Sequence, residues 1–106
     1  MRRINAAALA ERLKSESKQP LLLDVREPHE FHFCHIDGSV NRPMGQVFLN
    51  PGDYQTEQEI VVICHHGIRS AQVANFLESH GFQDIVNLDG GVAAWAAEVD
   101  PSMPTY

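Results

Sequence analysis

Three observations predict an α/β fold in which a parallel sheet is covered by helices on both faces. First, the chain carries short apolar runs of strand length, at Leu21-Leu22-Leu23-Asp24-Val25, Glu59-Ile60-Val61-Val62-Ile63 and Ile85-Val86-Asn87-Leu88. Second, the run from Glu59 to Ile63 has the β-branched density of a strand buried on both faces. Third, the runs alternate with helical patterns, so that Ile60–Ile63, Ser70–His80, Ile85–Leu88 and Val92–Val99 read strand, helix, strand, helix. Such alternation calls for a parallel sheet packed on both sides.

The elements follow in order. Asn5 is a side-chain cap for a helix beginning at Ala6, with Ile4 placed to staple against Leu9. That helix fades through Ser15-Glu16-Ser17-Lys18-Gln19, and Pro20 precedes the first apolar run, which ends in the charge of Asp24. Pro28 suits the first turn of a short helix, Pro28 to Phe33. Ser39-Val40-Asn41 is a brief strand, and Gly45 to Leu49 forms one or two helical turns closed by Asn50-Pro51-Gly52. Gly81 stops the helix that starts at Ser70.

With 106 residues and 43% hydrophobic composition, the chain is expected to form one domain spanning 1–106, because two halves would be too small to bury adequate cores. No apolar run approaches the ~20 residues of a membrane span. The basic start Met1-Arg2-Arg3-Ile4 leads into an amphipathic helix containing Glu11 and Arg12, not a signal-peptide core. A net charge of −6 with only eight scattered Lys and Arg argues against nucleic acid. Two cysteines are too few for a disulfide scaffold, and an accessible nucleophilic thiol is easiest to keep in a reducing compartment, so a cytoplasmic location is expected.

The chemistry concentrates in Cys64-His65-His66-Gly67-Ile68-Arg69-Ser70. Cys64 leaves a strand, the chain turns through Gly67, and a helix begins, so the loop lies over a helix N-terminus. Unpaired N–H groups and the positive end of the helix dipole favour an anion there. They are also expected to bring a nearby thiol below its free pKa of about 8.5. Arg69 adds a planar fork of donors. In open parallel sheets ligands lie beyond the carboxyl ends of the strands, which is where Cys64 falls.

Four segments in this order, Leu21 to Phe31, His35-Ile36-Asp37-Gly38-Ser39-Val40-Asn41, the cysteine loop, and Asn87-Leu88-Asp89-Gly90-Gly91-Val92-Ala93-Ala94-Trp95, together resemble the rhodanese family of sulfurtransferases over nearly the whole chain. The resemblance implies a doubly wound, mainly parallel α/β domain whose Cys64 accepts sulfane sulfur, for example from thiosulfate, as a covalent persulfide without any cofactor. It then passes that sulfur to a nucleophilic acceptor, a thiol or a sulfur-carrier protein. The tail from Asp100 to Tyr106 is similar to that of rhodanese domains fused behind sulfur-carrier-activating enzymes.

Residue by residue, the resemblance makes Cys64 the catalytic nucleophile and His65, His66, Gly67, Ile68, Arg69 and Ser70 the active-site loop, with Arg69 on the substrate anion. Asp24 and Arg26 are expected to hold loops by an ion pair and hydrogen bonds, and His35 and Asp89 to be architectural. Trp95 is expected in the core and Ser70 at the helix start. His65 and His66 are expected to line an anion pocket, point apart, and add partial positive charge near neutral pH. No set of ligands at zinc spacing accompanies them, so no metal is expected.

Two other functions compete. A phosphatase loop of the Cys-to-Arg type encloses five residues, whereas Cys64 and Arg69 enclose four, a tighter ring suited to one sulfur atom. A rhodanese fold that only docks partners typically lacks the cysteine. Cys34 departs from the family pattern, which has glycine before the His35-Ile36 pair. A packing residue is expected there, and the alternative is a resolving thiol, which would need a Cα separation from Cys64 under about 7 Å.

Overall fold

The computed structural model describes residues 1–15 and 17–106. Its elements are β1 (Arg2–Ile4), α1 (Ala6–Ser15), β2 (Leu21–Asp24), α2 (Pro28–Phe33), β3 (Val40–Asn41), α3 (Met44–Leu49), β4 (Glu59–Ile63), α4 (Ile68–Ser79), β5 (Asp84–Leu88) and α5 (Gly91–Glu98). The strands form one five-stranded sheet in the order β1-β5-β4-β2-β3. Every pairing is parallel, so the expected α/β class holds.

Alternation along the strands divides the core into two layers. Val61 and Ile63 of β4 and Val86 and Leu88 of β5 pack with Ala6 and Leu9 of α1 and Val92, Trp95 and Ala96 of α5. On the other face Ile60 and Val62 pack with Val47 of α3 and Val73, Ala74 and Leu77 of α4. Cys64 continues the alternation and falls on the α4 face. The central strands are buried on both sides, which is why they read as unbroken apolar runs.

The expected cap of α1 is present, since the Ala8 N–H donates to Asn5 Oδ1 at 2.8 Å and Ile4 packs on the same cluster as Leu9. The expected fade of this helix includes Glu16, which lies outside the described residues. Most other boundaries shift by one residue, the ordinary slack of helix and strand ends. Two differences are larger. Helix α4 starts at Ile68, two residues before the expected Ser70, because Gly67 takes a left-handed conformation (φ 97°) at its N-cap. Strand β1 was not expected at all, since Arg2 and Arg3 give it no apolar signature. It is an edge strand held from outside: Arg2 pairs with Glu59 and Asp84, Arg3 approaches Asp89, and the Asp89 N–H donates to the Ile4 carbonyl at 2.9 Å. Charged residues on such an edge also discourage pairing with another chain.

Candidate active site

Cys64 stands at the carboxyl end of β4 and the loop behind it is fixed by its carbonyls. The N–H groups of Val92 and Ala93, in the first turn of α5, donate to the carbonyls of Cys64 and His65 at 2.9 and 3.0 Å. Asn87 Nδ2 reaches the Gly67 carbonyl at 3.3 Å. With these carbonyls tied down, the Gly67 N–H turns inward and donates to Cys64 Sγ at 3.0 Å. The arrangement needs glycine at Gly91, where an added Cβ would fall 2.2 Å from the Cys64 carbonyl oxygen and 2.5 Å from that of His65. Gly91→Ala is therefore expected to destabilise the fold by about 2 kcal/mol or more, through overpacking and a left-handed backbone. Thermal denaturation checks the size.

Beneath the loop runs a buried polar chain. Cys64 Sγ lies 3.3 Å from Ser70 Oγ, which donates to Asn87 Oδ1, and Asn87 Nδ2 donates to Asp89 Oδ1 at 3.0 Å. Cys64, Ser70 and Asn87 are all essentially inaccessible. Ser70 is thus a support beneath the thiol as well as a helix-start residue. Asn87 was missed by sequence reasoning, although a lone amide inside the apolar run Ile85-Val86-Asn87-Leu88 is a signal, since a buried polar group must find partners.

Asp24 and Arg26 are fully buried and form the expected ion pair at 2.7 Å. Arg26 also donates to the carbonyls of Cys34 and Glu30, at 2.6 and 3.2 Å, and to the Tyr106 hydroxyl at 2.9 Å. One guanidinium so ties the end of β2 to α2 and to the tail. His35 is exposed, stacked on Phe31, with Nδ1 donating to the Phe31 carbonyl at 2.7 Å. Cys34 is buried, its sulfur 3.9 Å from the Arg26 guanidinium, and both cysteines are free thiols. Trp95 lies in the core.

The histidines differ from expectation. His65 and His66 do not point apart, because their rings meet at 3.9 Å, and His65 stacks face to face on Tyr106 at the same distance. Burial first, then the neighbouring His66, lowers the pKa of His65, which works against the positive charge expected of it. Among the described residues no group of three His, Cys, Asp or Glu side chains converges as metal ligands would.

Arg69 stands at the end of the loop in a bidentate pair with Glu30, with N–O distances of 2.7 and 2.9 Å. Glu30 lies on α2, where its Oε1 also accepts the Glu27 N–H at 3.0 Å, and its Oε2 accepts the Tyr106 hydroxyl at 2.9 Å. Neither Glu30 nor Tyr106 was singled out from the sequence. Glu30 is also the third helical residue of a capping box with Glu27 at the start of α2.

The rhodanese-like domain profile matches residues 5–98 of this chain. The chain belongs to the rhodanese family. Among curated rhodanese relatives, the thiosulfate sulfurtransferase GlpE of Shewanella oneidensis is 36% identical over 81 residues, covering 76% of this chain and 80% of its own. The rhodanese-like/PpiC domain-containing protein 12, chloroplastic, of Arabidopsis thaliana is 38% identical over 106 residues, which cover 91% of this chain but 36% of that protein. A crystal structure of a rhodanese-related protein from Thermoplasma volcanium superposes with a TM-score of 0.82 at 37% identity, covering 93% of this chain and 94% of its own. Family membership and relatives named as sulfurtransferases support sulfur transfer in general, and the parallel α/β architecture is shared with the Thermoplasma volcanium structure. Among the described residues no helix is long and apolar enough to cross a membrane.

Proposed function

We propose that this rhodanese is a thiosulfate-type sulfurtransferase in which Cys64 carries sulfane sulfur as a persulfide. The observation that carries the reading is the Gly67 N–H aimed at Cys64 Sγ at 3.0 Å, in a loop that opens α4 and ends in Arg69. The Cys64 thiolate attacks the outer sulfur of thiosulfate. A bond forms between the two sulfurs, the S–S bond of thiosulfate breaks, and its electron pair leaves with sulfite. A nucleophilic acceptor then attacks the outer sulfur of the Cys64 persulfide and restores the thiolate. Two displacements through one covalent intermediate predict ping-pong kinetics. Loop N–H groups and the helix dipole stabilise the persulfide anion as an oxyanion hole would.

The persulfide itself carries the sulfur, so the cycle needs neither metal nor organic cofactor. A thiol or a sulfur-carrier protein suits the acceptor role, supported by the names of two relatives, the putative sulfur carrier protein YrkF of Bacillus subtilis and the probable adenylyltransferase/sulfurtransferase MoeZ of Mycobacterium tuberculosis. A reducing compartment such as the cytoplasm keeps the thiol free.

Steady-state turnover of thiosulfate with cyanide tests the reading, with parallel initial-rate lines and thiocyanate as product expected. Hydrolysis of an aryl phosphate in place of thiocyanate formation would overturn it. Arg69→Ala is expected to raise the thiosulfate KM at least about tenfold, from the loss of a charge-assisted contact worth roughly 1.5–3 kcal/mol. It also leaves the Glu30 carboxylate unneutralised at the mouth. An unchanged KM would remove Arg69 from the anion's path.

A further inference from the structure

The guanidinium that should greet a substrate anion already holds one. Both outer nitrogens of Arg69 donate to Glu30, and the carboxylate is itself braced by the Glu27 N–H and the Tyr106 hydroxyl. Tyr106 is in turn fixed by its stack on His65 and its bond to Arg26. Glu30 and Tyr106 also line a groove of about 310 Å³ with His29 and Phe33, so a small molecule entering there meets the carboxylate. The pair sums to zero charge, and the Arg26 guanidinium behind Tyr106 is itself paired with Asp24.

We propose that Glu30 is a specificity-determining residue, an internal competitor for Arg69 that screens the Cys64 site against small dianions and favours sulfane donors of low charge, alkyl hydropersulfides in particular. The proposal rests on the sulfur-transfer reading above. A dianion such as thiosulfate gains the Arg69 fork only by displacing a bidentate carboxylate, and it is repelled by that carboxylate until it does. An alkyl hydropersulfide RS–SH needs no guanidinium. The Cys64 thiolate bonds to its terminal sulfur, the RS–S bond breaks, RS⁻ leaves with the electron pair, and the proton stays on the transferred sulfur. Hydrogen bonds from Arg69, above all, hold the Glu30 carboxyl down at about 2, so the screen stays charged at every physiological pH.

The test compares rates of Cys64 persulfide formation from thiosulfate and from the hydropersulfide of N-acetylcysteine methyl ester, whose one ionisable group is the persulfide itself, in wild type and Glu30→Gln. Glutamine keeps the helix cap, where either residue serves, and removes the charge. Thiosulfate loading is expected to become roughly tenfold or more efficient, while loading from the hydropersulfide, at most a monoanion, changes by less than about threefold. Tyr106→Phe, which removes one brace from the carboxylate, is expected to shift the ratio the same way by a smaller factor, and it carries the test alone should Glu30→Gln not fold. In the double variant Glu30→Gln/Arg69→Ala the gain should vanish. Loading that keeps its donor preference, or falls equally for both donors, would overturn the role of Glu30 and leave sulfur transfer standing. No loading from either donor in any of these proteins would overturn the sulfur-transfer reading itself, and this inference with it.

Discussion

Cys64→Ser is expected to abolish sulfite release from thiosulfate while the protein remains folded. A serine hydroxyl at this position does not ionise near neutral pH and is a poor nucleophile toward sulfur, so the first displacement is lost outright. The fold should tolerate the change because the site already offers polar partners, the Gly67 N–H at 3.0 Å and Ser70 Oγ at 3.3 Å. A cost on the order of 1 kcal/mol, roughly 4–8 °C in Tm for a chain of this size, is expected. Cys34→Ser is the matching control. Its sulfur lies against Arg26 within the core, and loading should match wild type. If Cys34→Ser instead supports the first loading step but loses turnover, Cys34 takes part as a resolving thiol.

The second large effect is on stability. Arg26→Ala should destabilise the protein by about 3–5 kcal/mol, the cost of leaving a buried carboxylate without its partner. Asp24 and Arg26 are both fully inaccessible, and Arg26 also satisfies the carbonyls of Cys34 and Glu30. Against a total stability of roughly 5–15 kcal/mol, the loss could unfold much of the population at 37 °C. Chemical denaturation measures it. The paired substitution Asp24→Leu/Arg26→Met should recover a large part of the loss, because replacing both charges by apolar groups removes the desolvation penalty along with the attraction. A single variant within about 1 kcal/mol of wild type would mean that water or another cation reaches Asp24.

The sequence revealed the parts of the fold whose causes are local. The runs at β2, β4 and β5 are apolar because both faces are covered, and Asn5 caps α1 through its own side chain. Strand β1 was hidden because Arg2 and Arg3 leave Ile4 alone to signal a strand; its partners, Glu59, Asp84 and Asp89, lie far along the chain. At the site, the loop from Cys64 to Ser70 was legible as a strand-to-helix turn. The stack of His65 between His66 and Tyr106 was not, since it depends on where the tail crosses the loop. Glu30 lies within the Leu21 to Phe31 segment but was given no role, because its fork with Arg69 spans two helices far apart in sequence. What escaped the sequence is pairing across long separations, and that pairing sets the charge of the mouth.

In the proposed cycle Cys64 holds the transferred sulfur. Intact-mass measurement of the desalted protein after incubation with thiosulfate tests it most directly. A mass gain of one sulfur atom is expected, located on Cys64 by peptide mapping, absent in Cys64→Ser, and removed by cyanide with release of thiocyanate. Unchanged mass in the wild-type protein with thiosulfate and with a hydropersulfide donor alike, or a gain that persists in Cys64→Ser, would contradict it.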